Sequence, residues 1–161
     1  MHIRYLKIIV SIIASAMALI YALQNIANIN AAHGALVYVL SGAGHEVYPE
    51  TLFFKSSNTL LAWIALIIVL IGELLAGLFL LKGAVDMYKC SSGSSNEFNA
   101  SKKLAEIGAG IGIIVWFGLF GVIGAAFFQM WQTEVGTGSM NGAFQYFISM
   151  AFTLLFISKK D

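Results

Sequence analysis

Four long apolar runs, separated by polar stretches, dominate the pattern of this sequence. They cover about residues 6–26, 59–81, 107–128 and 143–157, and the fourth is the shortest. About 20 residues at roughly 1.5 Å per residue cross the ~30 Å hydrocarbon layer of a bilayer. The pattern therefore predicts four membrane-spanning helices, in one transmembrane domain that covers residues 1–161.

The composition strengthens this interpretation. Hydrophobic residues make up 59% of the chain and charged residues only 11%, against about 25% charged in soluble domains. Lipid-exposed backbone must satisfy its own hydrogen bonds, so spanning segments are helices or closed barrels. The runs are longer than the alternating segments of about ten residues that build a barrel. We therefore expect an all-α integral membrane four-helix bundle.

Orientation follows from the basic residues, because Lys and Arg near membrane ends stay in the cytoplasm. Only Lys55 lies in the first connection, and none lies in the third. The other eight flank the first span, the second connection and the end of the chain: Arg4, Lys7, Lys82, Lys89, Lys102, Lys103, Lys159 and Lys160. This distribution predicts that both termini are cytoplasmic.

The first run has a second interpretation as a cleaved signal peptide. Arg4 and Lys7 precede it, and Ala14-Ser15-Ala16 has the small-x-small cleavage pattern. The apolar stretch continues past that point to Leu23, as in a membrane anchor. We therefore expect the segment to be retained.

The two longer connections differ in character. The outer one, about residues 30–58, is too long for a tight turn, so we expect one or two short helices on the outer interface. Its aromatic residues are expected at headgroup level: Tyr38, Tyr48, Phe53 and Phe54. The inner connection, residues 91–96, has the Ser/Gly composition of a flexible linker.

Small residues recur at helical spacing and predict close helix packing, inside the bundle or against another subunit. They lie on the first, second and third spans: Ala14, Ala18, Ala22, Gly72, Ala76, Gly108, Gly112, Gly118, Gly121 and Gly124.

Aromatic and amide side chains mark the outer membrane boundary. Trp131 ends the third span beside Gln129 and Gln132, and Trp63 begins the second. Asn141 precedes the fourth span and belongs to the same interface, whereas Trp116 is expected near mid-membrane.

The chemistry-bearing residues are few. His33, His45, Glu46 and Glu50 form a loose ligand set in the outer connection, but their spacing matches no short metal motif, so a solvated loop is favoured. The single cysteine, Cys90, excludes an internal disulfide and a CxxC pair. The net charge is +1 and there is no dense basic run, so the sequence predicts no basic surface for binding nucleic acid. No catalytic motif, metal site or cofactor site is predicted.

Glu73 is the exception, because it lies inside the second span. Acids at that depth are costly when ionised and often functional. We expect Glu73 to face the interior, largely protonated, and bonded to a hydroxyl at similar depth. The candidate hydroxyls are Ser11 and Ser15 on the first span and Thr153 on the fourth.

One family resemblance rests on a set of short motifs. They are Phe128-Gln129-Met130-Trp131-Gln132-Thr133, Asn141-Gly142-Ala143-Phe144, Asn25, Val39-Leu40-Ser41, Pro49 before Phe54-Lys55, and Glu73 followed by Gly83-Ala84. Together they resemble a bacterial family described as predicted small integral membrane proteins, domain of unknown function twenty-one sixty-five. The resemblance covers nearly the whole chain. It implies four helices in a bacterial inner membrane and no assigned activity.

The chain departs from the family pattern at three places. Tyr38-Val39 stands where the family tends to have His-Val, and Ala126 stands where it has an acidic residue. The segment between Gln132 and Asn141 is also longer here. A metal or proton role at the first two positions is therefore not carried over.

Three functions follow as hypotheses. The first is a non-catalytic accessory or assembly subunit, whose partners are the lipid bilayer and other membrane subunits or copies of itself. The second is a small homo-oligomeric proton-coupled transporter that uses Glu73. The third, least supported by the residues, is an enzyme that acts on lipid or quinone through the loop from His33 to Glu50.

Overall fold

The computed structural model describes residues 2–51 and 54–161 of the chain; Phe53 lies outside these ranges. The described residues are helical and contain no strand. In chain order the elements are α1 (His2–Ala27), α2 (Ile29–Ser41), α3 (Thr59–Lys89), α4 (Ser95–Ser101), α5 (Lys103–Ile113), a π-helix (Ile114–Phe127), a 3-10 turn (Met130–Gln132) and α6 (Glu134–Ser158). The all-α prediction is confirmed.

Four helical stretches in the described residues have the length and apolar composition to cross a membrane. They are α1, α3, the continuous stretch Ser95–Phe127, and α6. The prediction of four helices of spanning length is thus confirmed, although the helices extend beyond the apolar runs. Helix α6, for example, begins at Glu134, before the apolar run at residues 143–157, because the Thr133 hydroxyl caps it by accepting from Gly136 N.

Helix α3 lies at the centre of the packing. It packs on α1 and on α5, while α6 packs on α5 and on the π-helix and also contacts α1. The backbones approach closely where small residues lie. An added Cβ on Gly83 would lie 2.2 Å from Ala105 N, and one on Gly108 would lie 2.7 Å from Leu80 N. These glycines therefore let α3 and α5 pack backbone to backbone.

Both ends of the chain meet at one end of the packed helices, which we call the terminal end. The Arg4 guanidinium pairs with Asp161 at 2.5 Å and donates to the Ser91 and Gly93 carbonyls at 2.8 Å. Residues near both termini and the α3–α4 connection are thus joined in one network.

Two lysines are buried at the terminal end. Lys7 and Lys102 are each only 2% exposed, and both donate to the Lys159 carbonyl. The Phe98 ring is fully buried beneath the Arg4 and Lys102 cations, 4.9 and 5.3 Å from its centroid. Part of the basic charge at this end is therefore internal structure, not solvated surface.

At the other end, the loop end, α2 follows α1 after a break at Asn28 and packs against α3. It ends at Gly42, whose φ of +65° is the left-handed conformation that glycine adopts without strain. The connection then returns to α3, with Ser56 N donating to Leu40 O at 2.8 Å.

The third span changes its winding halfway. Residues Ile114–Phe127 form a 14-residue π-helix, and Phe128 N donates to Ile123 O, five residues earlier. Such helices are rare and usually a single turn long. The wider winding changes which residues share a face, so the spacing rules for an α-helix do not apply to this half of the span.

Candidate functional site: a buried acid beside an apolar cavity

Glu73 lies near the middle of α3 and is only 2% exposed. Its Oε2 accepts a hydrogen bond of 3.1 Å from Asn25 Nδ2 on α1. In the described part of the chain this is the only hydrogen bond that the carboxyl receives. The pair thus joins two spanning helices through one acid and one amide.

The sequence places Asn25 opposite α3. Ala18, Ala22 and Asn25 are spaced i, i+4 and i+7, so they share one face of α1. Both alanines are fully buried against neighbouring helices. Asn25 therefore continues the small-residue stripe toward the loop end, and this spacing is the signal that identifies it.

The predicted hydroxyl partners bond elsewhere. Ser11 Oγ donates to Lys7 O, and Thr153 Oγ1 donates to Ser149 O, each within its own helix. Ser15 Oγ donates across to Gly77 O on α3 at 2.7 Å. Hydroxyls in helices commonly bond the carbonyl four residues earlier, which satisfies them without an acid. The structure thus gives Glu73 an amide partner instead of a hydroxyl.

An apolar cavity of about 330 Å³ lies beside this pair, toward the loop end. Side chains from α2, α3, the π-helix and α6 line it, and Asn25 and Ser139 are its polar lining residues. Three lining residues, Ile68, Ile123 and Val135, are also exposed on the outer surface of the chain. The cavity is therefore open sideways, and its size falls within the usual range of small-molecule sites.

Asn25 connects the acid to the cavity. Its Nδ2 is held by Glu73, and the residue also lines the cavity wall. An apolar ligand that enters sideways would meet one amide, with an acid directly behind it. The arrangement can bind such a ligand and carry one proton, but the described residues add no basic side chain to the cavity lining.

At the loop end, the Gln132 side chain joins the first connection to the end of the third span. Its Oε1 accepts from Tyr48 N at 2.7 Å, and its Nε2 donates to Tyr48 O at 3.1 Å and to Gln129 Oε1 at 2.7 Å. Trp131 meets the Tyr48 ring edge-on, with 5.4 Å between centroids. Gln129, Trp131 and Gln132, all predicted at the outer interface, therefore form the contact between the first connection and the end of the third span.

Gln129 has a φ of +53°, which is uncommon for a residue other than glycine. It lies between the end of the π-helix and the 3-10 turn, where the chain must reverse into α6. Gly136 completes this reversal, since an added Cβ there would lie 1.8 Å from Met130 O.

The other predicted interface residues are separate from this contact. Trp63 stacks on His33, with 4.2 Å between ring centroids, and His33 Nε2 donates to Thr59 O at 3.1 Å. Asn141 lies within α6 and is exposed. Trp116 is buried near the middle of its span and packs edge-on against Tyr146.

Most of the predicted packing residues contact another element. Ala14, Ala18, Ala22 and Ala76 are buried. Added Cβ atoms on the glycines show the neighbours: Val115 for Gly72, Leu80 for Gly108, Met150 for Gly112 and Met130 for Gly124.

Gly118 and Gly121 differ from the other packing glycines. Added Cβ atoms there would meet only residues of the π-helix itself, at 3.9 and 3.4 Å. The reason is the π-winding, which turns these two positions away from the face that they would share in an α-helix.

The histidines of the first connection do not form a metal site in the described residues. There, no group of three His, Cys, Asp or Glu side chains converges. His45 Nε2 is buried and has no hydrogen-bond partner among the described residues. Burial, and secondarily the charge of Lys55, lower the pKa of His45 below its usual value.

Gln145 is a residue that the sequence reasoning missed. It lies close to the middle of the 25-residue α6, on the exposed side of the helix. An amide in mid-span also needs a hydrogen-bond partner, but it carries no charge, and so a search for intramembrane charges does not find it.

Four helices of spanning length, with apolar residues on their outer surfaces and polar side chains paired between them, define a small polytopic α-helical membrane protein. The chain belongs to the family described as predicted small integral membrane protein (DUF2165), whose model matches residues 3–160. The resemblance drawn from the sequence motifs is thus confirmed. No curated protein and no solved structure matches the chain.

Proposed function

We propose that this chain is a non-catalytic accessory or assembly subunit of a larger complex in a bacterial inner membrane. It would form a four-helix bundle whose terminal end faces the cytoplasm. The observation that carries the proposal is a polar face on α6 that no part of the described chain covers.

This face contains two unpaired amides. Asn141 and Gln145 are exposed on α6, and neither side chain has a hydrogen-bond partner among residues 2–51 and 54–161. Gly138, on the same side, has no atom within 4 Å of an added Cβ. The small residue therefore lets another helix approach closely, and the two amides provide groups that need a hydrogen-bond partner.

Hydrocarbon cannot satisfy the amide of Gln145, which lies close to the middle of α6. An amide that leaves water without a hydrogen bond costs several kcal/mol, and lipid tails offer neither donors nor acceptors. Asn, Gln and small residues are the ones through which membrane helices associate. A helix from another subunit would satisfy both amides, which supports a role in assembly.

The charge distribution supports the proposed orientation. All eight basic residues other than Lys55 belong to the terminal end by sequence position, and positive residues favour the cytoplasmic side. A reporter fused after Asp161 should be cytoplasmic, and one inserted at Gly44 should be periplasmic. A cytoplasmic reporter at Gly44 would contradict this orientation.

Gentle purification from the native membrane tests the assembly role. The chain should migrate in native gels with a larger membrane assembly, and the double variant Asn141→Leu, Gln145→Leu should be lost from it. Gln24→Leu is the matched control, because it removes an exposed amide from α1. Migration of the unaltered chain as a lone monomer would refute the proposal.

A second candidate function is a small homo-oligomeric proton-coupled transporter. The observation that favours it is the contact of Asn25 with both Glu73 and the open cavity. Glu73→Gln keeps a hydrogen-bonding side chain but removes the titrating proton. Flux in liposomes that is unchanged by this substitution would eliminate the transporter, and it would leave the assembly role untouched.

A further inference from the structure

We propose that the partner on the exposed face of α6 is a second copy of this chain, related by a two-fold axis along the membrane normal. The inference rests on the proposed assembly role and adds to it the identity of the first partner. It is carried by the spacing, chemistry and position of the residues on this face.

The residues follow the spacing of a helix-pairing seam. Gly138, Asn141, Gln145, Ile148 and Phe152 alternate steps of three and four, which keeps them on one side of the helix over four turns. Phe152 is 69% exposed. Membrane helices mostly pair with this periodicity at a shallow crossing angle.

The chemistry of the seam is complementary to itself. A side-chain amide carries both a donor group and an acceptor oxygen, so two identical amides can bond each other. Two copies inserted in the same orientation place their α6 helices parallel. On a two-fold axis Gln145 then meets Gln145, and Asn141 meets Asn141, as an isologous interface requires.

Charge does not oppose this pairing. Glu134, at the start of α6, is the charged residue on this side of the helix, and it lies at the loop end, where solvent screens it. The seam itself is uncharged from Gly138 to Phe152.

The exposed surface of α3 needs no such partner. On α3 the exposed side chains at membrane depth are apolar, among them Ile64, Ile67, Ile71 and Leu78. Hydrocarbon satisfies these residues as well as protein does. Gln145, an exposed amide close to the middle of α6, thus favours α6 over α3 as the surface where a second copy would pair.

Disulfide cross-linking tests the inference in native membranes. Replacing Cys90, the only cysteine, by serine gives a background for single cysteines. With the amides intact, Phe152→Cys on the seam should form a dimer of twice 17.4 kDa on oxidation. Leu78→Cys, exposed on α3, is the matched control and should not.

A second measurement reports on the amides. Two differently tagged copies, co-expressed, should purify together, and Asn141→Leu, Gln145→Leu should weaken this pairing by about tenfold for each amide. Circular dichroism checks that the double variant retains its helices. Co-purification that the double variant leaves unchanged would overturn the inference.

The cross-linking outcomes separate this inference from the proposed function. A seam cysteine that cross-links only to a different protein overturns the second copy but supports the assembly role. A seam cysteine that cross-links to nothing, in a chain that stays monomeric, overturns both. Equal dimer yields at Phe152→Cys and Leu78→Cys would indicate random collision and would also overturn the inference.

Discussion

The close contact between α3 and α5 can be tested with two alanine substitutions on one helix. An added Cβ on Gly108 would lie 2.7 Å from Leu80 N and 2.8 Å from Ala76 O. Both are backbone atoms, so the two helices would have to separate. Gly110, two residues away on α5, has no atom within 4 Å of an added Cβ.

The comparison isolates the steric effect. Glycine to alanine in a helix gains up to about 1 kcal/mol from propensity, and both variants share this gain. Forcing a methyl group into a packed interface costs about 1–3 kcal/mol. Gly108→Ala should therefore be less stable than Gly110→Ala by this amount, which is about a five- to 150-fold change in the folding equilibrium.

Unfolding in mixed micelles with increasing SDS, followed by circular dichroism, measures the difference directly. Gly110→Ala should match or slightly exceed the stability of the unaltered chain. Equal midpoints for the two variants would show that α3 and α5 are not in backbone contact at Gly108, and the packing described here would be wrong.

Three further predictions concern the loop end. Gln132→Leu removes both hydrogen bonds to Tyr48, so proteolysis between residues 42 and 58 should accelerate with no loss of helix content; an unchanged rate would contradict this contact. His45 binds protons less readily in the folded chain, so the folded connection should lose stability as pH falls below 6.5, and Lys55→Gln should raise the His45 pKa in an NMR titration. An unshifted His45 titration would exclude the Lys55 charge as a cause. Gly136→Ala should destabilise the chain by more than 1 kcal/mol in the same SDS assay, since its Cβ would overlap a backbone carbonyl; full stability would refute this turn geometry.

The spanning helices were predictable because a single strong signal determines them. A charge-free run such as residues 59–81 has nowhere stable to lie except in lipid, whatever its neighbours do. The position of Glu73 inside a helix of spanning length followed from the same count.

The hydrogen-bond partner of Glu73 could not be predicted from the sequence, because it depends on how two helices are rotated against each other. Counting depth from the predicted cytoplasmic ends selected Ser11 and Ser15 on the first run and left out Asn25, which lies at the opposite end of that run. The structure resolves the choice through Gly77, where α1 comes close enough for Ser15 to bond the α3 backbone. Asn25 then lies on the side that faces the acid.

The winding of the third span was outside the reach of the sequence pattern. Gly118, Gly121 and Gly124 have the spacing of a packing face in an α-helix, but the π-helix places only Gly124 against another element. Hydropathy is the same for either winding, so the apolar run contains no signal for the change.

The network at the terminal end constrains how the protein is made. The partners of Arg4 and Lys7 are Ser91, Gly93, Lys159 and Asp161, all of which are synthesised after α1. Until they arrive, the first helix carries two cations without their final acceptors. The final contacts of α1 can therefore form only after Lys159 and Asp161 have been synthesised.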